Sequence, residues 1–433
     1  MLQTPLLTEE GNNSSIRFYP NACLIINVAA CFFGSYIASI NLHRVHMIEG
    51  QDIICFCNDW DGDPLSKKHI MQRFAKRNRV LWVNSVGIRR PEASVSDLRR
   101  VIKKVREFVH GSRKVDEGIH VFSPLAFPFH GSAAGRWINR KVLRWSLLRV
   151  CGQLGLRNPI TWVFIPASAE VAGALGERTL VYHCVDEYTE FTGADKAGLL
   201  ALEQQLMKKS HCVIVSSDLL MNNKRRHNRN TFLVTHGVDV EHFRKACLPT
   251  TVVPDDIRAL KKPIIGFFGL IADWVDLGLI RSLAMSRPEW TFVLIGKSAT
   301  SLAPVEGLTN VHLLGQKPYV SLPAYARAFD VALLPFIVNE LTLAANPLKL
   351  REYLAAGLPV VSSALPEAEK LQHSVRIGRN QAQFLELIQN IIDSRQTGPQ
   401  LSISQHMDSE SWDAKVEELS RIVMRIEAQR AAA

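Results

Sequence analysis

The stretch NPLKLREYLAAGLPVVSS, Asn346–Ser363, holds one helix, one break and one buried strand. Pro347 suits a first helical turn, where its missing N–H costs nothing. Leu348–Ala356 is rich in helix formers, Gly357 ends the helix, and Pro359 opens the next segment. PVVS (Pro359–Ser362) does not alternate, as expected of a parallel strand covered on both faces. Lys349 and Glu352 are three apart and share a helix face near its start. A helix N-terminus aimed at a cleft binds phosphate through free N–H groups and its positive dipole. Lys349 would add charge on a diphosphate, and Glu352 would accept hydrogen bonds from ribose hydroxyls. The same spacing also fits a salt-bridged surface helix.

The rhythm of helix and strand extends outward from this stretch. Upstream lie PIIGFFG (Pro263–Gly269), TFVLIG (Thr291–Gly296), NVHLL (Asn310–Leu314) and DVALLP (Asp330–Pro335), and VRI (Val375–Ile377) follows. Helical patterns at Asp276–Met285 and Leu322–Ala328 alternate with them. An earlier set comprises DIICFC (Asp52–Cys57), VLWVN (Val80–Asn84), IHVFS (Ile119–Ser123), ITWVFI (Ile160–Ile165), TLVYHC (Thr179–Cys184), CVIVS (Cys212–Ser216) and TFLVT (Thr231–Thr235). Helical patterns at Ser66–Arg77, Leu98–His110 and Gly135–Cys151 lie between these. Strand–helix alternation predicts parallel, doubly wound sheets, and two sets predict two such domains facing one another. Cys247–Lys262 reads as their connection. The tail Ser411–Arg430 reads as an amphipathic helix with Trp412, Val416, Leu419, Ile422, Val423 and Ile426 on one side. The expected divisions are a leader over 1–48, domains over 49–238 and 239–405, and a terminal helix over 406–433.

Composition narrows the function classes. The chain has 433 residues, 47% hydrophobic and 21% charged, which excludes wholesale disorder and low complexity. No series of long apolar runs marks a polytopic membrane protein. The net charge is +10, yet between Lys67 and Arg144 nineteen Lys/Arg face five Asp/Glu. One sub-region is therefore cationic and the remainder slightly acidic, which suits an anionic partner. The eight cysteines form no CxxC pair and no zinc-like cluster, as expected of a reducing cytoplasm. Phe18–His43 lacks Asp, Glu, Lys and Arg. It reads as a leader upstream of a start at Met47, a membrane-associated helix or a marginal span.

In open α/β sheets ligands bind beyond the carboxyl ends of the strands, so the loops there carry the candidates. Gly266 and Gly269 flank a strand end and would let backbone approach a phosphate or sugar, or simply pack tightly. Lys297 follows the next strand and would reach a phosphate or remain solvated. Asp186, Glu187 and Tyr188 follow a strand of the first domain, where a carboxylate would bind an acceptor or assist proton transfer, or cap a helix. His183 lies inside that strand and reads as core, while His236 sits at the domain crossover. Asp59-Trp60-Asp61-Gly62-Asp63 alternates aspartates. It reads as an acceptor-side loop with Asp63 as a helix cap in preference to a metal site, and His69 on the first turn would face the cleft. The segments around 98–110 and 135–150 put Arg and Lys beside apolar residues, including Trp137 and Trp145. That is a membrane-surface signature unless those apolar faces are core. No nucleic-acid motif accompanies the charge.

Together these segments resemble the GT-B glycosyltransferases, near glycosyltransferase family four, and especially teichuronic-acid and exopolysaccharide enzymes. Asn346–Ser363 looks like their donor signature, in which a lysine and a glutamate precede a glycine-proline turn. THGVDVEHF (Thr235–Phe243) resembles their interdomain crossover. GFFGLIADWVD (Gly266–Asp276) and LIGK (Leu294–Lys297) resemble the first strands of the second domain, and GQKPYVSLPAYARAFDVALLPF (Gly315–Phe336) is similar to the stretch before the donor signature. VYHCVDEYTEF (Val181–Phe191) resembles the interdomain aspartate strand. The resemblance covers most of the chain after residue 50. It implies a GT-B fold with a deep interdomain cleft. The donor would contact Gly266, Gly269, Lys297, Asn346, Lys349, Glu352 and His236, and catalysis would use Asp186 and Glu187. Asp59, Asp61, His69 and Tyr188 would lie on the acceptor side.

One position departs from the pattern: the glutamate expected with seven residues between it and Glu352 is Ala344, and its role would pass to Asn346 or backbone groups. The implied activity is transfer of a sugar, with retention, from a nucleotide sugar to a lipid-linked or polysaccharide acceptor. It needs neither metal nor other cofactor and would take place on the inner face of the cell membrane. A nucleotide-sugar epimerase and a non-catalytic membrane protein of the same fold are the alternatives.

Overall fold

The computed structural model describes residues 47–432 apart from 63, 86–105, 107, 109, 110 and 126–132. The expectations for 1–46, for Asp63 as a cap and for most of 98–110 therefore lie outside the described residues.

The first sheet contains β1 (Asp52–Phe56), β2 (Arg79–Val83), β3 (Arg113–Asp116), β4 (Ile119–Phe122), β5 (Ile160–Val163), β6 (Thr179–Cys184), β7 (Cys212–Val215) and β8 (Thr231–Leu233). Their order is β3-β4-β2-β1-β5-β6-β7-β8. All pairs are parallel except β3–β4. The second sheet contains β9 (Ile264–Phe268), β10 (Thr291–Ile295), β11 (Val311–Gly315), β12 (Val331–Leu334), β13 (Val360–Ser363) and β14 (Val375–Gly378), ordered β11-β10-β9-β12-β13-β14. Every pair in it is parallel. The second sheet follows the doubly wound order 3-2-1-4-5-6, and the first contains the same order in β4-β2-β1-β5-β6-β7, extended by β3 at one edge and β8 at the other; the switch points lie between β1 and β5 and between β9 and β12. Thirteen strands answer to the apolar runs. The edge strand β3 (RKVD) escapes the sequence reading because it is short, charged and half solvated.

The helices that shape the site are α1 (Ser66–Ala75), α2 (Ala133–Leu154), α3 (Lys196–Lys209), α4 (Asp218–Lys224), α5 (Leu277–Ser286), α6 (Glu340–Ala344), α7 (Leu348–Ala355), α8 (Gln381–Asp393) and α9 (Trp412–Ala431). They bury apolar faces against the two sheets. α5 and α8 cover one face of the second sheet through Ile280, Leu283, Ile388 and Ile391. The Cys247–Lys262 stretch does not bridge the halves: Ile257, with Phe243 and Ala246 just before it, belongs to the core of the second half.

The terminal helix α9 returns to the first half. Trp412, Val416, Leu419, Val423 and Ile426 lie in one cluster with Ile53, Phe74 and Trp162. Arg73 donates to Asp413 and Arg178 to Glu427, both at 2.9 Å. The chain thus crosses between halves twice, and the two crossings lie side by side. Val238 N–H donates to Glu410 carbonyl at 2.9 Å, and Trp412 N–H to Val238 carbonyl at 3.2 Å. Gly237 permits this approach, because a Cβ there would stand 2.9 Å from the Trp412 backbone.

Candidate functional site

Parallel strands direct their carboxyl ends toward the loops that precede helices, and here the two sets of loops meet. Ser217 Oγ donates to Ala344 carbonyl at 2.6 Å, and Asn346 Nδ2 donates to Ser216 carbonyl at 2.7 Å. Phe191 meets Trp274 edge-on at 6.2 Å, and beside them Thr192 donates to Asp273. The loops after β6, β7, β9 and β12 therefore face one another, as the switch-point rule requires.

On the second half, α7 starts at this junction with Pro347 as its cap and no side-chain cap bond. Its first N–H groups therefore have no side-chain acceptor, the condition for an anion site. Lys349 Nζ donates to Glu352 at 2.7 Å and stands 5.4 Å from the Phe268 ring centroid at the end of β9. Glu352 is 2% exposed; burial raises its carboxyl pKa and the Lys349 charge opposes the rise. The pair points inward, so the surface-helix alternative does not hold. Gly269 follows β9, and a Cβ there would touch the Lys349 methylenes at 3.5 Å. Lys297 is exposed on the loop after β10.

Two donor-side expectations are corrected. Gly266 lies within β9, paired with Val293 and Ala332. A Cβ on it would stand 2.2 Å from the Phe329 ring, so its smallness serves core packing and leaves no path to a ligand. Asn346 is spent on protein contacts. It donates to Ser216 and, at 3.2 Å, to Glu367, and it accepts from Arg351. It clasps the halves together, with both amide N–H groups and the amide oxygen engaged by the protein.

Ala344 is also explained. It is 1% exposed and packs in the first half's core cluster beside Leu220. A glutamate there would bury an unpaired carboxylate at the contact between the halves.

On the first half, Asp186 emerges from β6. Burial raises its carboxyl pKa, and Lys67 pulls it back. No side chain among the described residues hydrogen-bonds its carboxylate. Glu187 is different, and its catalytic role is corrected. Lys224 donates to it at 3.0 and 2.9 Å and to Glu203 at 2.8 Å, while Tyr182 donates to Glu203 at 2.7 Å. Burial works against the Lys224 charge, yet the surrounding acidic groups outweigh it and raise its pKa. Glu187 thus neutralises a buried lysine.

Sequence reasoning missed Lys67, which looked like one more residue of a basic run. It is 5% exposed, and its Nζ donates to Asn58 at 2.9 Å and to the Tyr188 hydroxyl at 3.2 Å. It therefore joins the loop after β1 to the loop after β6, close to Asp186. Its place at the start of a helix following a switch-point strand was the available signal.

The remaining acceptor-side and crossover candidates separate. Asp59 is exposed, and Asp61 is held by Arg113 of β3 at 2.7 Å, out in solvent. No group of three metal-ligating side chains occurs among the described residues. His69 does not open to the cleft: it is 5% exposed and stacked on Trp412 at 5.4 Å. Burial and then the Arg73 charge lower its pKa to about 4. His236 is buried 6.1 Å from the same indole, with its pKa lowered to about 3 by burial and by Arg351 and Lys67. Both rings build the junction around Trp412. His183 accepts from Trp162 Nε1 at 3.3 Å and is core, as expected.

Two facing doubly wound sheets, a terminal helix returned to the first, and loops converging between them define a GT-B fold. Comparison with known proteins agrees. The chain superposes on sucrose-phosphate synthase from Thermosynechococcus elongatus with a TM-score of 0.64 and 15% identity, over 88% of this chain and 100% of that one. For α,α-trehalose 6-phosphate synthase from Burkholderia multivorans the TM-score is 0.60 at 13% identity, over 89% and 100%. Residues 262–394 match the family described as Glycosyl transferases group 1, so the second half carries a domain of that group. A putative teichuronic acid biosynthesis glycosyltransferase of Bacillus subtilis is 30% identical over 180 residues, 39% of this chain. The match spans 44% of that relative, less than half its length.

Proposed function

We propose that the protein is a glycosyltransferase that moves a sugar from a nucleotide sugar to a lipid-linked or polysaccharide acceptor. The observation that carries this reading is the inward Lys349–Glu352 pair at the bare start of α7, where the loops of the two halves meet. Lys349 and the α7 N–H groups neutralise the diphosphate as it departs. Glu352 accepts from the ribose hydroxyls of the donor. Transfer forms a bond from the acceptor oxygen to the anomeric carbon and breaks that carbon's bond to the diphosphate, which leaves with the electron pair. With retention the acceptor enters on the face the diphosphate leaves. The acceptor proton then passes to the departing phosphate oxygen, and Asp186 orients the hydroxyl. Lys67 and Tyr188 hold the acceptor-side loops in register. Asp59, exposed at the mouth, is on the acceptor side of this reading, and Lys297 on the donor side.

The protein works at the inner face of the membrane in this reading. Trp137 and Trp145 are 54% and 58% exposed on α2 among Arg140, Lys141, Arg144 and Arg149. They are not core. No helix among the described residues is long and apolar enough to cross a membrane.

A thermal-shift screen against UDP-, GDP-, ADP- and dTDP-sugars tests the reading, since a ligand bound to the native state raises Tm. One donor is expected to stabilise the protein, and Glu352→Gln to abolish most of that shift. Stabilisation by none of the four, or an unchanged shift in Glu352→Gln, would sink it. Release of free nucleoside diphosphate with acceptor-dependent product separates transfer from epimerisation.

A further inference from the structure

On the side of α2 next to its exposed tryptophans lies a recess of about 280 Å³. Its lining holds Arg140, Lys141 and Arg144 from α2, Lys209 from the end of α3, and Glu170 as the one carboxylate. Two of the cations are held in place: Arg144 Nε donates to Ala174 carbonyl at 2.8 Å, and Lys209 Nζ to Ala169 carbonyl at 3.0 Å. Arg140 and Lys141 donate to no protein acceptor among the described residues. Burial, and then the nearby Arg140 charge, lower the Lys209 pKa, while Glu177 and Glu170 oppose the shift.

The apolar face beside the recess has the same orientation on the helix. Trp137, Lys141, Trp145 and Arg149 recur every fourth residue, joined by Ile138 and Leu148. Lys141 sits 5.6 Å over the Trp137 ring, and Arg149 5.7 Å over Trp145. Arg140 and Arg144 stand between this stripe and the buried face that carries Leu147 and Val150. Indole rings settle at the headgroup level of a bilayer, and basic side chains beside them meet anionic headgroups. A general basic surface needs no concavity. Here the cations converge on one, beside the stripe that carries the exposed indoles.

We infer that this recess binds the phosphodiester headgroup of an anionic phospholipid, with Trp137 and Trp145 seated in the interface around it. The inference rests on the membrane-side reading proposed above and adds a defined headgroup site to it. The lipid would hold the first half on the leaflet, leaving the second half free to move against it.

The test is binding of the full chain to vesicles of phosphatidylglycerol and of phosphatidylcholine. Wild type is expected to prefer the anionic vesicles at least tenfold. Arg140→Gln/Lys141→Gln, which breaks no protein hydrogen bond, is expected to erase that preference. Trp137→Ser/Trp145→Ser is expected to weaken binding to both vesicles. Arg225→Gln/Arg226→Gln removes the same charge from an exposed turn after α4 and is expected to change binding less than twofold. Unchanged binding in Arg140→Gln/Lys141→Gln overturns the site, as does an equal loss in Arg225→Gln/Arg226→Gln. Stabilisation by soluble glycerol phosphate with no vesicle binding would make it a free-anion site instead. Donor-induced shifts on the same preparations are expected to persist in every variant. Failure of the lipid site therefore stays distinct from failure of the transferase reading.

Discussion

At the residue scale, chemistry and packing compete for the same residue types, and the structure divides them. Gly266 and Gly269 look alike in sequence, yet the first accommodates Phe329 and only the second lies under Lys349. Gly266→Ala is expected to lose about 1–3 kcal/mol of stability to overpacking, seen as a lower Tm, while the folded fraction keeps its donor-induced shift. Asp186 and Glu187 are adjacent, yet one is free and the other neutralises Lys224. No spacing rule reveals that, because Lys224 and Glu203 reach Glu187 from distant elements. His69 gives a pH dependence. Its folded pKa of about 4 lies below the unfolded value near 6.5. Between these values the unfolded chain binds more protons, so stability is complete above pH 6.5 and declines as pH falls toward 4. His69→Phe keeps a ring on Trp412 and removes the proton site. Urea titrations across that window are expected to give a flatter slope for the variant than for wild type.

At the element scale, regular and buried segments were legible and the exceptions have physical causes. The apolar strands announced themselves because both faces are covered, and α7 did so through Pro347 and Gly357. The partner of α9 was not legible. Its apolar stripe says that something covers it, and only tertiary structure identifies that cover as the first sheet's helix layer. Trp412 is 2% exposed and lies against both His69 and His236. Trp412→Ala is expected to cost about 3–5 kcal/mol through the cavity it leaves, measured by chemical denaturation. A loss below 1 kcal/mol would mean that α9 is only loosely attached.

At the scale of the whole molecule, the two halves are joined by buried polar contacts of a kind a moving interface can exchange for water. Ser217, Asn346 and Ala344 lie at their centre. Ala344→Glu restores the residue that the sequence resemblance expects, but its side chain would place an unpaired carboxylate among the apolar side chains that Ala344 packs with. It is expected to separate the halves, seen as a larger radius of gyration in small-angle scattering together with a lower Tm. An unchanged profile would show that the contact has room for the acid. The paired crossings at Val238 and Ser411 have a consequence of their own. One linker would let the second half swivel freely, whereas two linkers bonded in parallel act like a pair of pins in a door. Swinging about their common line remains easy and twisting across it does not. Each closing would then return the donor loops to the acceptor loops in the same alignment.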